Sequence, residues 1–172
     1  MDFLDLAKRR YSVRKYENKP VEADKLNRIL EAGRVAPTAA NRQPHKVYAV
    51  TDPQMLERLS AGAKLYGAPL VLVVCADKEQ AWTRRYDEKK TTDIDASIVT
   101  DHMMLEAACL GLGSLWICSF KPWIIRAELD IPEQYEVVNL LAIGYGADEV
   151  KSPSRHSERE VRKPLEEMVE YC

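Results

Sequence analysis

The sequence has no C-x-x-C pair among its four cysteines, Cys75, Cys109, Cys118 and Cys172, and no histidine at metal-ligand spacing from them. No metal site is therefore expected, and the thiols read as reduced. Glycine is scarce at seven residues, and neither G-x-G-x-x-G nor G-x-x-x-x-G-K-[ST] occurs. The glycine-cradled nucleotide folds are thereby excluded, so side-chain cations would have to hold any bound phosphate. No apolar run reaches the roughly 18 residues of a membrane span. The opening MDFLDLAKRR has no apolar stretch of the secretory kind, and a cytoplasmic protein is expected. An excess of one charge is missing too, because 25 Lys and Arg face 27 Asp and Glu. A pI near 6.0 excludes a global attraction to nucleic acid or to acidic membranes.

What is present describes one domain. At 172 residues, 46% of them hydrophobic, the chain can bury an adequate core unaided. Residues 2–9 read as a short helix. Leu26, Ile29, Leu30 and Gly33 fall at i, i+3, i+4 and i+7 and predict a helix over 22–34, stopped by Pro37. VYAV (47–50) and PLVLVVCA (69–76) read as buried strands, separated by a helix over 53–63. The charged stretch 79–92 reads as a solvated helix or an excursion of the chain. Thr92 and Asp95 form a T-x-x-D capping box for a long helix over 94–112. That helix is apolar around most of its circumference and should be buried nearly all round, either at the centre of a monomer or beneath a second subunit. SLWICSF (114–120) and VVNLLAIGY (137–145) read as further strands, with a helix opened by Pro122 between them. The polar tail reads as an arm on another surface. Helices alternating with about four strands make the domain α/β or α+β.

Two stretches carry chemistry. RRYSVRKY (9–16) sets Arg10, Ser12 and Arg14 at alternate positions, so an extended backbone would place two guanidinium forks and a hydroxyl on one face, a donor set suited to a phosphate. A solvated helix end, whose cations merely complement the macrodipole, is the commoner explanation of a lone basic cluster, so the cluster by itself is weak evidence of a phosphate site. APTAANRQP (36–44) offers Thr38, Asn41 and Gln43 between two prolines, and amide side chains can read alternating donors and acceptors. Gln43 reads as structural. His45, His102 and His156 read as structural histidines, and Trp82, Trp116 and Trp123 as packing residues.

These stretches, taken in order with APLVLVV, the run from D-A-S to L-E-A-A-C-L-G-L-G-S-L-W-I, AIGYG and RKPLEE, resemble the FMN-dependent nitroreductases over nearly the whole chain. The resemblance implies an α+β fold with a mostly antiparallel central sheet flanked by helices. It also implies a homodimer in which residues 147–172 form an extended C-terminal arm exchanged with the partner. Two FMN sites at the interface would each be built from both chains. By motif position, Arg10, Ser12 and Arg162 would hold the phosphate, and Tyr11 and Arg14 would lie along the flavin. Lys64 would stand near the pyrimidine edge. Ile117, Cys118 and Ser119 would offer backbone N–H groups near the atom that accepts hydride, while Pro37, Thr38, Ala39 and Asn41 would come from the other subunit.

The implied activity is hydride transfer from NADH or NADPH through FMN to a nitroaromatic, a quinone or a related electron-poor acceptor, in ping-pong order. The flavin carries that chemistry, and no catalytic side chain is assigned. Three features depart from the family pattern: Cys118 and Ser119 stand where many members have glycine, Glu160 replaces a second C-terminal cation, and the chain is short. A flavin-sequestering protein with little turnover, or a small anion-binding module without flavin, therefore stand as rival readings.

Overall fold

Leu70–Asp77 (β2) is buried at all eight positions, and a strand with no polar face must be covered on both sides. The structure, a computed structural model describing residues 2–147 and 162–172, supplies both covers. β2 is an inner strand of a four-stranded sheet of order β1-β2-β6-β5, in which β1 is His45–Val50, β5 Gly113–Ile117 and β6 Tyr135–Gly144. Every pairing is antiparallel, and Val73 stands opposite both Tyr48 and Leu140.

Side chains alternate across the sheet and define two cores. Leu70, Leu72, Val74, Leu141 and Ile143 pack on Ala23–Arg34 (α2) and Thr92–Cys109 (α4). Val71, Val73, Cys75, Leu140 and Ala142 face Pro53–Leu59 (α3) and Pro122–Glu128 (α5). The first pair of helices lies so close that a Cβ on Gly33 would fall 2.9 Å from the Met103 side chain, which requires glycine there. Between sheet and helix, Thr100 Oγ1 lies 2.8 Å from the Ala96 carbonyl and 3.0 Å from the Asn139 side-chain amide. Hydrogen-bond accounting favours the amide orientation in which Asn139 donates to Thr100 and the hydroxyl donates to Ala96.

The α+β class and the strand positions agree with the sequence reading, while four details differ. The charged stretch after Asp77 is a hairpin of Thr83–Arg84 (β3) and Lys89–Lys90 (β4), closed by Glu88 N–H on the Arg84 carbonyl at 2.8 Å and by an Arg84–Asp87 ion pair. α3 ends at Leu59, short of Ala63. α4 begins at Thr92 with Thr91 as its flanking residue, and no Thr92–Asp95 capping box forms. Instead the Thr91 hydroxyl donates to Asp95 at 2.8 Å.

α4 is not buried all round within the protomer. The stripe Ala96, Val99, Met103 and Ala107 is packed, while Ile94 is exposed and Ile98, His102 and Leu105 are half-covered. The sheet and α2 can reach only one side of it. Phe3–Arg9 (α1) buries no residue at all, and Leu165–Met168 (α6), near the C-terminus, is a short helix that also buries none. Residues 148–161 of the expected arm, with His156 and Glu160, lie outside the described residues. Among the described residues no helix is long and apolar enough to cross a membrane.

Candidate functional site

β5 is one of the two outer strands of the sheet, and its two ends lie beside some of the residues singled out in the sequence. At its start, Ser12 forms a parallel bridge to Ser114, and the Val13 amide donates to the Ser114 carbonyl at 2.9 Å. This contact fixes the basic segment alongside the strand. Beyond it, among the described residues, no further strand pairs with the outer edge of β5.

Behind the bridge lies a cavity of about 400 Å³, lined by Arg9, Arg10, Tyr11, Cys109, Gly111 and Ser114 among others. Ser114 Oγ is buried and has no hydrogen-bond partner among the described residues. Burial lowers the Arg10 guanidinium from its ordinary pKa, the charge of Arg162 lowers it further, and Asp101 opposes both. Arg162 is therefore close enough for its field to be felt at Arg10, although the two are separated by most of the sequence. Arg14 is exposed, with Nη1 on the Ser12 carbonyl at 3.4 Å, and does not line the cavity.

At the other end of β5, Ala63 bridges Phe120 in antiparallel sense, and the Lys121 amide donates to the Gly62 carbonyl at 2.7 Å. Antiparallel register sets Lys64 and Ser119 together on one side of that bridge and Gly62 and Lys121 on the other. Lys64 is exposed, with Nζ 4.8 Å from the Tyr66 ring centroid. Cys118 and Ser119 are exposed, while Ile117 is buried. From Ser114 to Ser119 the chain advances roughly 16 Å at about 3.3 Å per residue. Basic side chains thus stand near both ends of this strand.

The segment holding Pro37, Thr38, Ala39 and Asn41 stands apart from both ends as a strained turn. Ala40, Asn41 and Gln43 have φ of 50°, 52° and 50°, left-handed values that disfavour a side chain by roughly 1–2 kcal/mol each, less for asparagine. Thr38 closes the turn, its Oγ1 accepting from the Gln43 amide at 3.0 Å and its carbonyl from the Asn41 amide at 3.0 Å. Gln43 is exposed, and its Nε2 donates to the Asn41 carbonyl at 3.3 Å. The Ala39 amide leaves the turn and donates to Asp95 Oδ1 at 2.8 Å.

Sequence reasoning overlooked Arg9, Ser114 and Asp95. Arg9 was legible as part of the basic cluster, and Ser114 closes the GLGS run. Asp95 was visible only as a helix-start residue, because its partner Ala39 contributes a backbone amide that no side-chain pattern reveals. His45 Nδ1 is buried and without a partner among the described residues. Burial lowers its pKa, opposed by the charge of Asp95. His102 Nδ1 lies 2.9 Å from the Ile98 carbonyl, a local helix contact. Trp123 is 68% exposed and is no core residue. Among the described residues no group of His, Cys, Asp and Glu could hold a metal ion.

An antiparallel α+β fold in which an edge strand has a cavity lined by Arg9 and Arg10 near one end and the exposed Lys64 near the other defines the structural class. Comparison with known proteins makes the class specific. The profile of the Nitroreductase family matches residues 7–64 and 56–145, and the chain belongs to that family. A nitroreductase family protein of Clostridium difficile 630 shares 47% identity over 99% of this chain and 98% of its own, with a TM-score of 0.95. An FMN-dependent nitroreductase of Clostridium difficile R20291 shares 32% identity over 90% and 94% of the two chains, at a TM-score of 0.77. A Thermus thermophilus protein named NADH dehydrogenase is 30% identical over 98% of this chain and 95% of its own.

Proposed function

We propose that this protein is an FMN-dependent oxidoreductase that takes hydride from NADH or NADPH and delivers it to an electron-poor acceptor such as a nitroaromatic or a quinone, in ping-pong order. The observation that carries the reading is the placement of Arg10 and Ser12 at one end of β5 and of Lys64 and Ser119 at the other. The names of the relatives, an FMN-dependent nitroreductase and an NADH dehydrogenase among them, agree with it.

The donor set fits a phosphate monoester. Arg10 brings a guanidinium fork, Arg162 adds a second positive field, and the buried Ser114 hydroxyl lacks a partner that an anion's oxygen could supply. Arg10, Ser12 and Arg162 would hold that group, with Arg9 at the rim and Tyr11 at the wall. Lys64 would stabilise negative charge at the pyrimidine edge of the ring, and the backbone amides of Ile117, Cys118 and Ser119 would orient its opposite edge. When bound, FMN supplies reversible hydride chemistry, so that nicotinamide and oxidant occupy one place in turn. The chain's part is to position and to polarise.

The reading includes a homodimer. α1 leaves Phe3 66% and Leu4 56% exposed, and the outer face of α4 is half-covered, so both need a cover that one protomer does not provide. Pro37, Thr38, Ala39 and Asn41 would then complete the neighbouring subunit's site, and the C-terminal arm would reach across.

Titration of the protein with FMN, followed by flavin fluorescence, and then NADH and NADPH oxidation with menadione, test the proposal. Saturable flavin uptake by a dimer together with sustained oxidation of either nicotinamide is expected. Uptake without turnover would mark a flavin-sequestering protein, and no uptake an anion-binding module.

A further inference from the structure

Asp95 is fully buried, yet among the described residues no cation pairs with it. Its carboxylate is held by neutral donors on both oxygens: Oδ1 accepts from the Ala39 amide at 2.8 Å and Oδ2 from the Thr91 hydroxyl at 2.8 Å. It also lies in the first turn of α4, where the positive end of the helix dipole favours a negative charge. Removing a carboxylate from water is expensive, and hydrogen-bonded anions stay buried only where their donors are fixed. The donors here come from two different parts of the chain, and the carboxylate joins them. Thr91 is tied at its amide to the Trp82 carbonyl, 3.0 Å away, at the base of the β3–β4 hairpin. Ala39 belongs to the left-handed turn.

The turn needs such a tie. Among the described residues its other bonds, Gln43 to Thr38 and to Asn41, Asn41 to Thr38 and Arg42 to Ala39, run within the segment itself, and the next bond to the body lies just past it, where the Asp77 amide donates to the Pro44 carbonyl at 2.7 Å. Pro37, just before it, is exposed, and three of the residues from Ala40 to Gln43 have left-handed backbones that unrestrained chain would leave. The Ala39–Asp95 bond fastens the middle of this turn to the long helix. We infer that Asp95 is a positioning residue, which through the Ala39 amide holds the turn in the shape that presents Thr38, Ala39 and Asn41 to the ligand of the neighbouring subunit. The inference rests on the proposed function for what the turn touches, but not for how the turn is held.

Two readouts separate those layers. Hydrogen exchange at the Ala39 amide reports the tie without any ligand, and FMN titration with the absorbance spectrum of the bound flavin reports its consequence. Asp95→Ala is expected to lower Ala39 protection and to weaken FMN binding, each by roughly tenfold or more, the size of one charge-assisted hydrogen bond. Asp95→Asn keeps an acceptor for Ala39 and should recover most of both. Ala40→Gly relieves the left-handed backbone, so the loss caused by Asp95→Ala should shrink in that background.

A folded Asp95→Ala protein with unchanged Ala39 exchange overturns the inference. Unchanged FMN affinity and spectrum alongside lowered protection overturns the presentation of the turn to the ligand. If Asp95→Ala does not fold, Asp95→Leu, which fills the space without offering an acceptor, decides, and Ala39 protection equal to wild type overturns the tie. Failure of the wild-type protein to bind FMN defeats the proposed function instead, and the exchange comparison still stands.

Discussion

A Cβ placed on Gly113 would fall 2.5 Å from Cγ2 of Val13, closer than side-chain carbons approach, so the first residue of β5 and the buried centre of the basic segment fit only while position 113 has no side chain. Val13 is 2% exposed and is held by its amide to Ser114. Gly113→Ala should therefore push the whole segment outward. A loss of about 1–3 kcal/mol is expected from overpacking, read as a lowered thermal midpoint, together with weaker FMN uptake because Arg10 and Ser12 move with Val13. Val13→Ala in the same chain should restore part of the binding.

Arg10→Ala should weaken FMN binding by roughly 10- to 150-fold, the range of one or two kcal/mol-scale contacts to a charged group. The effect should fall as salt rises, since Arg10 is only partly covered. Flavin titrations at two ionic strengths check both statements, and an affinity equal to wild type would remove Arg10 from the site.

The cysteines should divide by reactivity. Burial pushes the Cys75 thiol up to about 12, whereas Cys118 is exposed at the end of β5. Iodoacetamide should leave Cys75 untouched until the protein is unfolded and should alkylate Cys118 in the native state. FMN is expected to slow the reaction at Cys118 and to have no effect on Cys75. Peptide mass mapping with and without FMN reads both.

His45 predicts a pH dependence of stability. Its folded pKa lies below the ordinary 6.5, chiefly through burial. Above pH 6.5 the residue is neutral folded and unfolded, and it contributes no slope. As the pH falls from 6.5 toward the depressed folded value, the unfolded chain takes up a proton first, so stability declines through that window and the decline ends below it. Thermal melts between pH 7.5 and 5 should show this loss in wild type and a smaller one in His45→Gln.

Much of this was written in periodic features. β2 and β6 announce themselves as continuous apolar runs, α2 by its 3.6-residue spacing, and α5 by Pro122 at its start. The ends of β5 were legible only as motif, because Ser12–Ser114 and Ala63–Phe120 are pairings between distant segments that no local pattern encodes. The hairpin at 83–90 was hidden by its charge, which resembles a solvated helix until the Arg84–Asp87 pair closes it. α4 misled in the opposite way: it is apolar around most of its circumference, but its burial depends on how far the neighbouring sheet extends. Asp95 was assigned to Thr92 because capping is judged within a few residues, while one of its actual donors is a backbone amide 56 positions earlier in the chain.

The pairing of Thr100 with Asn139 sets a limit on how this domain can diverge. Sliding α4 along the sheet by a single turn would leave the buried Asn139 side chain without Thr100, so the helix is pinned lengthwise as well as pressed flat. Whatever packs on its outer side therefore meets side chains held at constant height above the strands.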